Sequence, residues 1–123
     1  MEFFKKLSVA DLNVTNLQRL LTIKNLPALC ASIDTVISDR GNEGDIYCLW
    51  GEFNLRRDEI REGIRFSLLN CPHALAWTIT YDEAHQYLTI HCTIDETEQE
   101  KEFVDSIEVF VTDWSQGITK ALR

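Results

Sequence analysis

Leu75-Ala76-Trp77-Thr78-Ile79-Thr80-Tyr81 and Leu88-Thr89-Ile90-His91-Cys92-Thr93-Ile94 set an apolar residue at every second position, with small, hydroxyl-bearing or imidazole side chains between. Side chains of a β-strand point alternately to opposite faces, so this pattern predicts two strands with one buried and one wet surface. Working outward, Ile64, Phe66 and Leu68 alternate with Arg65 and Ser67. Tyr47, Leu49, Phe53 and Leu55 likewise alternate with Cys48, Trp50, Glu52 and Asn54. Ile46 to Ile94 therefore reads as four mainly antiparallel strands. Their outer face is expected to carry Trp50, Arg65, Thr78 and His91 among further threonines.

The inner face needs a cover. Phe103, Val104, Ile107, Phe110, Val111, Trp114, Ile118 and Leu122 recur at spacings of three and four, the stripe of a long amphipathic helix. Thr97 and Glu100 form a capping box ahead of it, and Lys120 and Arg123 complement its dipole at the far end. Gly117 is expected to weaken its last turns. Two helices are expected before the strands. The first draws on Val9, Leu12, Leu17, Leu20 and Leu21, with Thr15 and Gln18 as a capping box inside it; the second runs from Pro27 to about Ser38. Asp39 to Asp45 reads as a helix-to-strand turn, because a calcium loop counted from Asp39 would need a bidentate Glu where Trp50 stands. Arg56 to Leu69 admits two readings: Ile60, Ile64 and Leu68 would stripe a helix, while Gly63 and the alternation of Ile64, Phe66 and Leu68 favour a charged turn followed by the second strand. The expected fold is α+β: a four-stranded mainly antiparallel sheet with two N-terminal helices and a long C-terminal helix packed on one face.

Length and composition narrow the class. A chain of 123 residues with 45% hydrophobic and 26% charged residues is expected to form a single domain, 1–123, without staples. Its apolar runs are too short to span a bilayer and Met1 to Lys6 leads into no signal-type core, so the cytoplasm is the expected location. Cys30, Cys48, Cys71 and Cys92 lack metal-ribbon spacing and read as reduced packing residues. A zinc site combining Cys71, His73, His91 and Cys92 would need both faces of one strand.

Net charge is −8, and the segment from Asp95 to Asp113 holds eight acidic residues against Lys101, seven of those net charges. Such a field argues against direct nucleic-acid binding, since phosphate neutralisation needs a basic surface. The acidic stretch reads as the solvated face of the long helix, with mimicry of nucleic acid as an alternative. Arg56, Arg57, Arg61 and Arg65 are interleaved with acids that can pair with them, and of the four only Arg65 is expected on the outer sheet face, where it could grip a small anion. The sequence has no Gly-x-Ser-x-Gly elbow, phosphate-binding glycine loop or His-Glu-x-x-His motif, so no cofactor, metal or catalytic residue is assigned.

A small acidic α+β chain with an amphipathic C-terminal helix resembles the dimeric chaperones that hold secreted effector proteins, a likeness of general pattern. It implies a non-catalytic interaction module, a homodimer whose contact covers Trp50, acting through the threonine-rich outer sheet face or the acidic helix on a protein partner. The alternative is a small-ligand or cofactor-free enzyme pocket formed by Arg65, Trp50, Thr78 and His91.

Overall fold

The structure is a computed structural model that describes residues 1–95 and 100–122. In chain order it comprises β1 (Glu2–Ser8), α1 (Val14–Leu20), a 3-10 turn (Ile23–Asn25), α2 (Leu26–Leu29), β2 (Ile33–Asp39), β3 (Glu43–Cys48), β4 (Gly51–Ile60), β5 (Gly63–Leu68), β6 (Ala76–Asp82), β7 (Tyr87–Thr93) and α3 (Lys101–Ala121). The class is α+β, but the sheet has seven strands where four were expected, in the order β1-β7-β6-β5-β4-β3-β2, every neighbouring pair antiparallel. Strands β2 to β7 form a meander, and β1 closes its far side against β7.

The three additional strands trace to identifiable causes. In β1 the doublets Phe3-Phe4 and Lys5-Lys6 conceal the alternation, although Phe3 and Leu7 do pack on the core while Phe4 stays exposed. The helix expected from Pro27 ends at Leu29; Pro27 occupies its first turn, but Ile33, Thr35, Val36 and Ile37 are β-branched and continue as β2. What looked like one strand from Ile46 to Leu55 is a hairpin, β3 and β4, turning at Leu49 and Trp50 into Gly51, whose φ of 114° suits only glycine. The turn reverses the parity before it. Ile46 and Cys48 are buried while Tyr47 and Leu49 are exposed, the opposite of the expected arrangement, whereas Phe53 and Leu55 do face inward.

Further corrections are local. Arg56 to Ile60 extend β4 rather than forming a turn, and within Asp39 to Asp45 only residues 40–42 link β2 to β3, with Gly41 at φ 88°. Helix α1 starts at Val14, capped by Asn13, whose side chain accepts the Asn16 N–H at 2.8 Å. Gln18 is no capping partner there; its amide donates to the carbonyls of Ile60 and Gly63 and ties α1 to the β4–β5 turn. Thr97 and Arg123, invoked for the caps of α3, lie outside the described residues.

On β5, β6 and β7 the expected parity is observed. Ile64, Phe66, Leu68, Trp77, Ile79, Tyr81, Leu88, Ile90 and Cys92 are buried, and they share one core with Leu17 of α1, Leu26 and Leu29 of α2, and Ile107, Phe110, Trp114 and Ile118 of α3. Each large side chain buried there contributes roughly 1.5–3 kcal/mol. Gly117 lets α3 approach α2: a Cβ built on it would stand 1.8 Å from the Leu29 carbonyl oxygen. The glycine thus marks a close backbone contact rather than a loose end. All helices lie on the inner face, and the other face of the sheet carries no layer among the described residues.

Candidate functional site

The antiparallel register turns alternation along each strand into rows across the outer face. Phe4 of β1 stands opposite His91 of β7, His91 opposite Thr78 of β6, Thr78 opposite Arg65 of β5, and Arg65 opposite Asp58 of β4. Three residues expected on this face, Arg65, Thr78 and His91, are thereby direct neighbours. With Ala76 and Thr93 they line a shallow depression of about 140 Å³.

At one end of the row the Phe4 and His91 rings stack, centroids 4.2 Å apart and 3° from parallel, and Phe4 remains 60% exposed. His91 Nε2 lies 3.1 Å from Glu2 Oε1, so a proton on that nitrogen is donated to a carboxylate. At the other end Asp58 accepts from Arg56 Nε at 3.2 Å, across the next row of the same face. The Arg65 guanidinium makes no hydrogen bond or ion pair among the described residues. Two positions further along β5, the Ser67 hydroxyl is shielded from solvent and has no hydrogen-bond partner among the described residues. The row therefore presents an exposed aromatic ring, two hydroxyl or imidazole groups and an uncommitted guanidinium.

Trp50 is not part of it. It sits in the β3–β4 turn and reaches the helical layer, where its indole Nε1 donates to Ser106 Oγ at 2.9 Å and its ring lies 4.9 Å from that of Phe110. The expectation of an outer-face indole assumed unbroken pleating through residues 49 and 50, and the turn removed it. Trp50 instead helps line an apolar pocket of about 260 Å³ with Phe53, Leu68, Leu75, Phe103, Cys71 and His73. That pocket holds two of the four residues weighed for zinc; Cys92 is buried in the core and His91 stands on the opposite face, and no cluster of three metal-ligating groups occurs among the described residues.

The arginine cluster is divided by the sheet. Arg56 shares the outer face with Arg65, which adds a second arginine there. Arg57 points inward and donates to the carbonyls of Leu21 at 2.6 Å and Gln18 at 2.8 Å, satisfying groups left open where α1 ends. Its third hydrogen bond goes to the Asn42 amide oxygen, and Glu59 lies 3.9 Å away as an ion-pair partner, so it fastens helix, hairpin and sheet together. Acidic α3 is likewise divided: Asp105 pairs with Lys101, while Asp113 accepts from Ser32 Oγ at 2.5 Å. Glu102, Asp105 and Glu108 remain exposed.

Sequence reasoning missed Phe4, and with it Tyr47, whose ring is exposed on β3. The signal was present in Phe3-Phe4: adjacent rings in a strand must go to opposite faces.

The fold has a solved counterpart. The chain is similar to an uncharacterised protein of known crystal structure from Bacillus thuringiensis, with a TM-score of 0.66 and 13% identity over 99% of this chain and 97% of that one. At that identity the likeness concerns the fold alone. No protein-family model and no curated protein matches the sequence. No helix among the described residues is long and apolar enough to cross a membrane.

Proposed function

We propose that this chain is a non-catalytic protein-interaction module whose working surface is the outer face of the sheet, centred on the row from Phe4 to Arg65. One observation carries this reading: a ring stacked on His91 and an Arg65 side chain that, among the described residues, has no ion-pair partner stand in one cross-strand line on a sheet face that no described helix covers. The complementary partner is a protein segment that places a carboxylate on Arg65 and an apolar side chain against Phe4. Flat, partly polar, aromatic-bearing surfaces suit protein contact, and arginine and aromatic residues dominate the energetics of such contacts.

The small-anion alternative draws on the same three residues, and size limits it. A depression of about 140 Å³ is smaller than the roughly 300–1,000 Å³ of sites that enclose a drug-sized ligand, so it holds one small anionic group and not a whole larger molecule. It suits the end of an acidic side chain. Nucleic-acid mimicry by α3 is weakened because Asp113 is bonded inward to Ser32 and Asp105 is paired with Lys101.

Selection of displayed random peptides against the immobilised protein tests the proposal. Enriched peptides should share a carboxylate next to an apolar residue, and Arg65→Ala should weaken them about 10- to 100-fold, the equivalent of one charge-assisted hydrogen bond of about 1.5–3 kcal/mol. Peptides that bind Arg65→Ala and Phe4→Ala as well as the parent would overturn it.

A further inference from the structure

Among the described residues the sheet has two unpaired edges, and they differ. At β2 the register slips twice, between Ile33 and Thr35 and between Val36 and Ser38, irregularities that blunt an edge against further pairing. At β1 it runs unbroken through seven residue pairs. The backbone bonds at either end of β1 fix which of its groups remain available. Met1 and Ile94 exchange both N–H···O bonds at 3.1 Å, and the Val9 N–H donates to the Gln86 carbonyl at 2.9 Å. Bonded pairs alternate along an antiparallel ladder, so the odd-numbered residues of β1 direct their N–H and C=O groups at β7. Those of Glu2, Phe4, Lys6 and Ser8 point out of the sheet.

We infer that β1 pairs with β1 of a second copy of this chain, antiparallel about a two-fold axis at Phe4. Only even-numbered residues can bond across this edge, which leaves few registers. Centring on Phe4 sets Glu2 of each copy directly opposite the partner's Lys6, and sets Phe4 against the partner's Phe4. Both oppositely charged pairs and the ring pair fall on the outer face, where cross-strand neighbours contribute roughly 0.2–1 kcal/mol each. Moving the axis to Lys5 would place the two Lys5 ammonium groups opposite one another, and moving it to Lys6 would do the same for Lys6. Like charges in direct opposition disfavour both. In the Phe4 register Lys5 falls opposite the partner's Phe3, and Phe3 lines a depression between β1 and α3 that also includes Glu108.

The assembly is an isologous dimer with one continuous sheet. It covers only the edge-facing side of the Phe4 ring, so the outward rim of Phe4 stays open to a partner together with Arg65, Thr78 and His91. It also joins the two outer-face rows end to end across the axis, giving a partner a surface twice as long. The inference stands on the edge geometry alone and does not need the binding proposal.

Light scattering of the purified chain, without any ligand, tests it. The wild type should show twice the mass of one chain. Glu2→Lys and Lys6→Glu should each reduce this to a single chain with unchanged circular dichroism, and the double exchange should restore the dimer, because it swaps the ends of each charge pair. As a check that does not depend on the charge variants folding, Phe4→Cys in a Cys71→Ser background should give a disulfide-linked dimer under mild oxidation, since directly opposed residues fall within bridging distance. Lys5→Cys should not. A monomeric wild type, a dimer indifferent to both single charge changes, a folded double variant that stays monomeric, or linkage through Lys5→Cys instead of Phe4→Cys would each overturn the inference.

Discussion

At Gly117 two rules oppose one another, and geometry decides. Alanine is favoured over glycine inside a helix by about 1 kcal/mol. Yet a methyl group at Gly117 would overlap the Leu29 carbonyl, and this backbone contact has no flexible side chain to yield. Gly117→Ala is therefore expected to destabilise the protein by about 1–3 kcal/mol, as overpacking does, with urea denaturation as the measurement. A stabilised variant would show that α2 and α3 do not approach so closely. The arginines permit a paired comparison. Arg57→Ala strands the carbonyls of Leu21 and Gln18 and is expected to cost about 1–3 kcal/mol. Arg65→Ala breaks no side-chain bond among the described residues and should shift stability by less than about 0.5 kcal/mol. Equal losses at the two positions would contradict the division of roles between the inner and outer arginines.

Among the elements, legibility followed how fully each strand's pattern reflects its two environments. Strands β5, β6 and β7 lie between other strands, with a core on one side and, among the described residues, no layer on the other, so alternation at Ile64, Trp77, Ile79, Leu88 and Ile90 located the inner face correctly. Edge strands carry a weaker imprint. In β1 only Phe3 and Leu7 face the core, and charged residues fill the positions between and beside them. In β2 two register slips break the period that a reader would look for. Trp50 failed for another reason. A period-two rule extends through a tight turn without detecting it, and the nearby signal, Gly51, is a single residue. Arg65, Thr78 and His91 were thus recognisable as outer-face residues, whereas Phe4 and the absence of Trp50 from the row depend on pairings distant in sequence. Helix α3 was the easiest to read, because its stripe extends over about five turns and each turn repeats the evidence.

The molecule has two layers, with helices over one sheet face and no layer over the other among the described residues. The native thiols leave a clear background for testing that arrangement. Burial pushes Cys30 and Cys92 up to about 12 and raises Cys48 as well, so at mildly alkaline pH these three remain protonated and shielded. Cys71, half-buried, can be replaced by serine. The most direct measurement is then the rate at which a maleimide labels Thr78→Cys and Ile79→Cys, each in the Cys71→Ser chain under native conditions. The account predicts rapid labelling at position 78, at any protein concentration because dimerisation through β1 leaves that face open, and protection at position 79 until the protein unfolds. Protection at 78 with rapid labelling at 79 would contradict it.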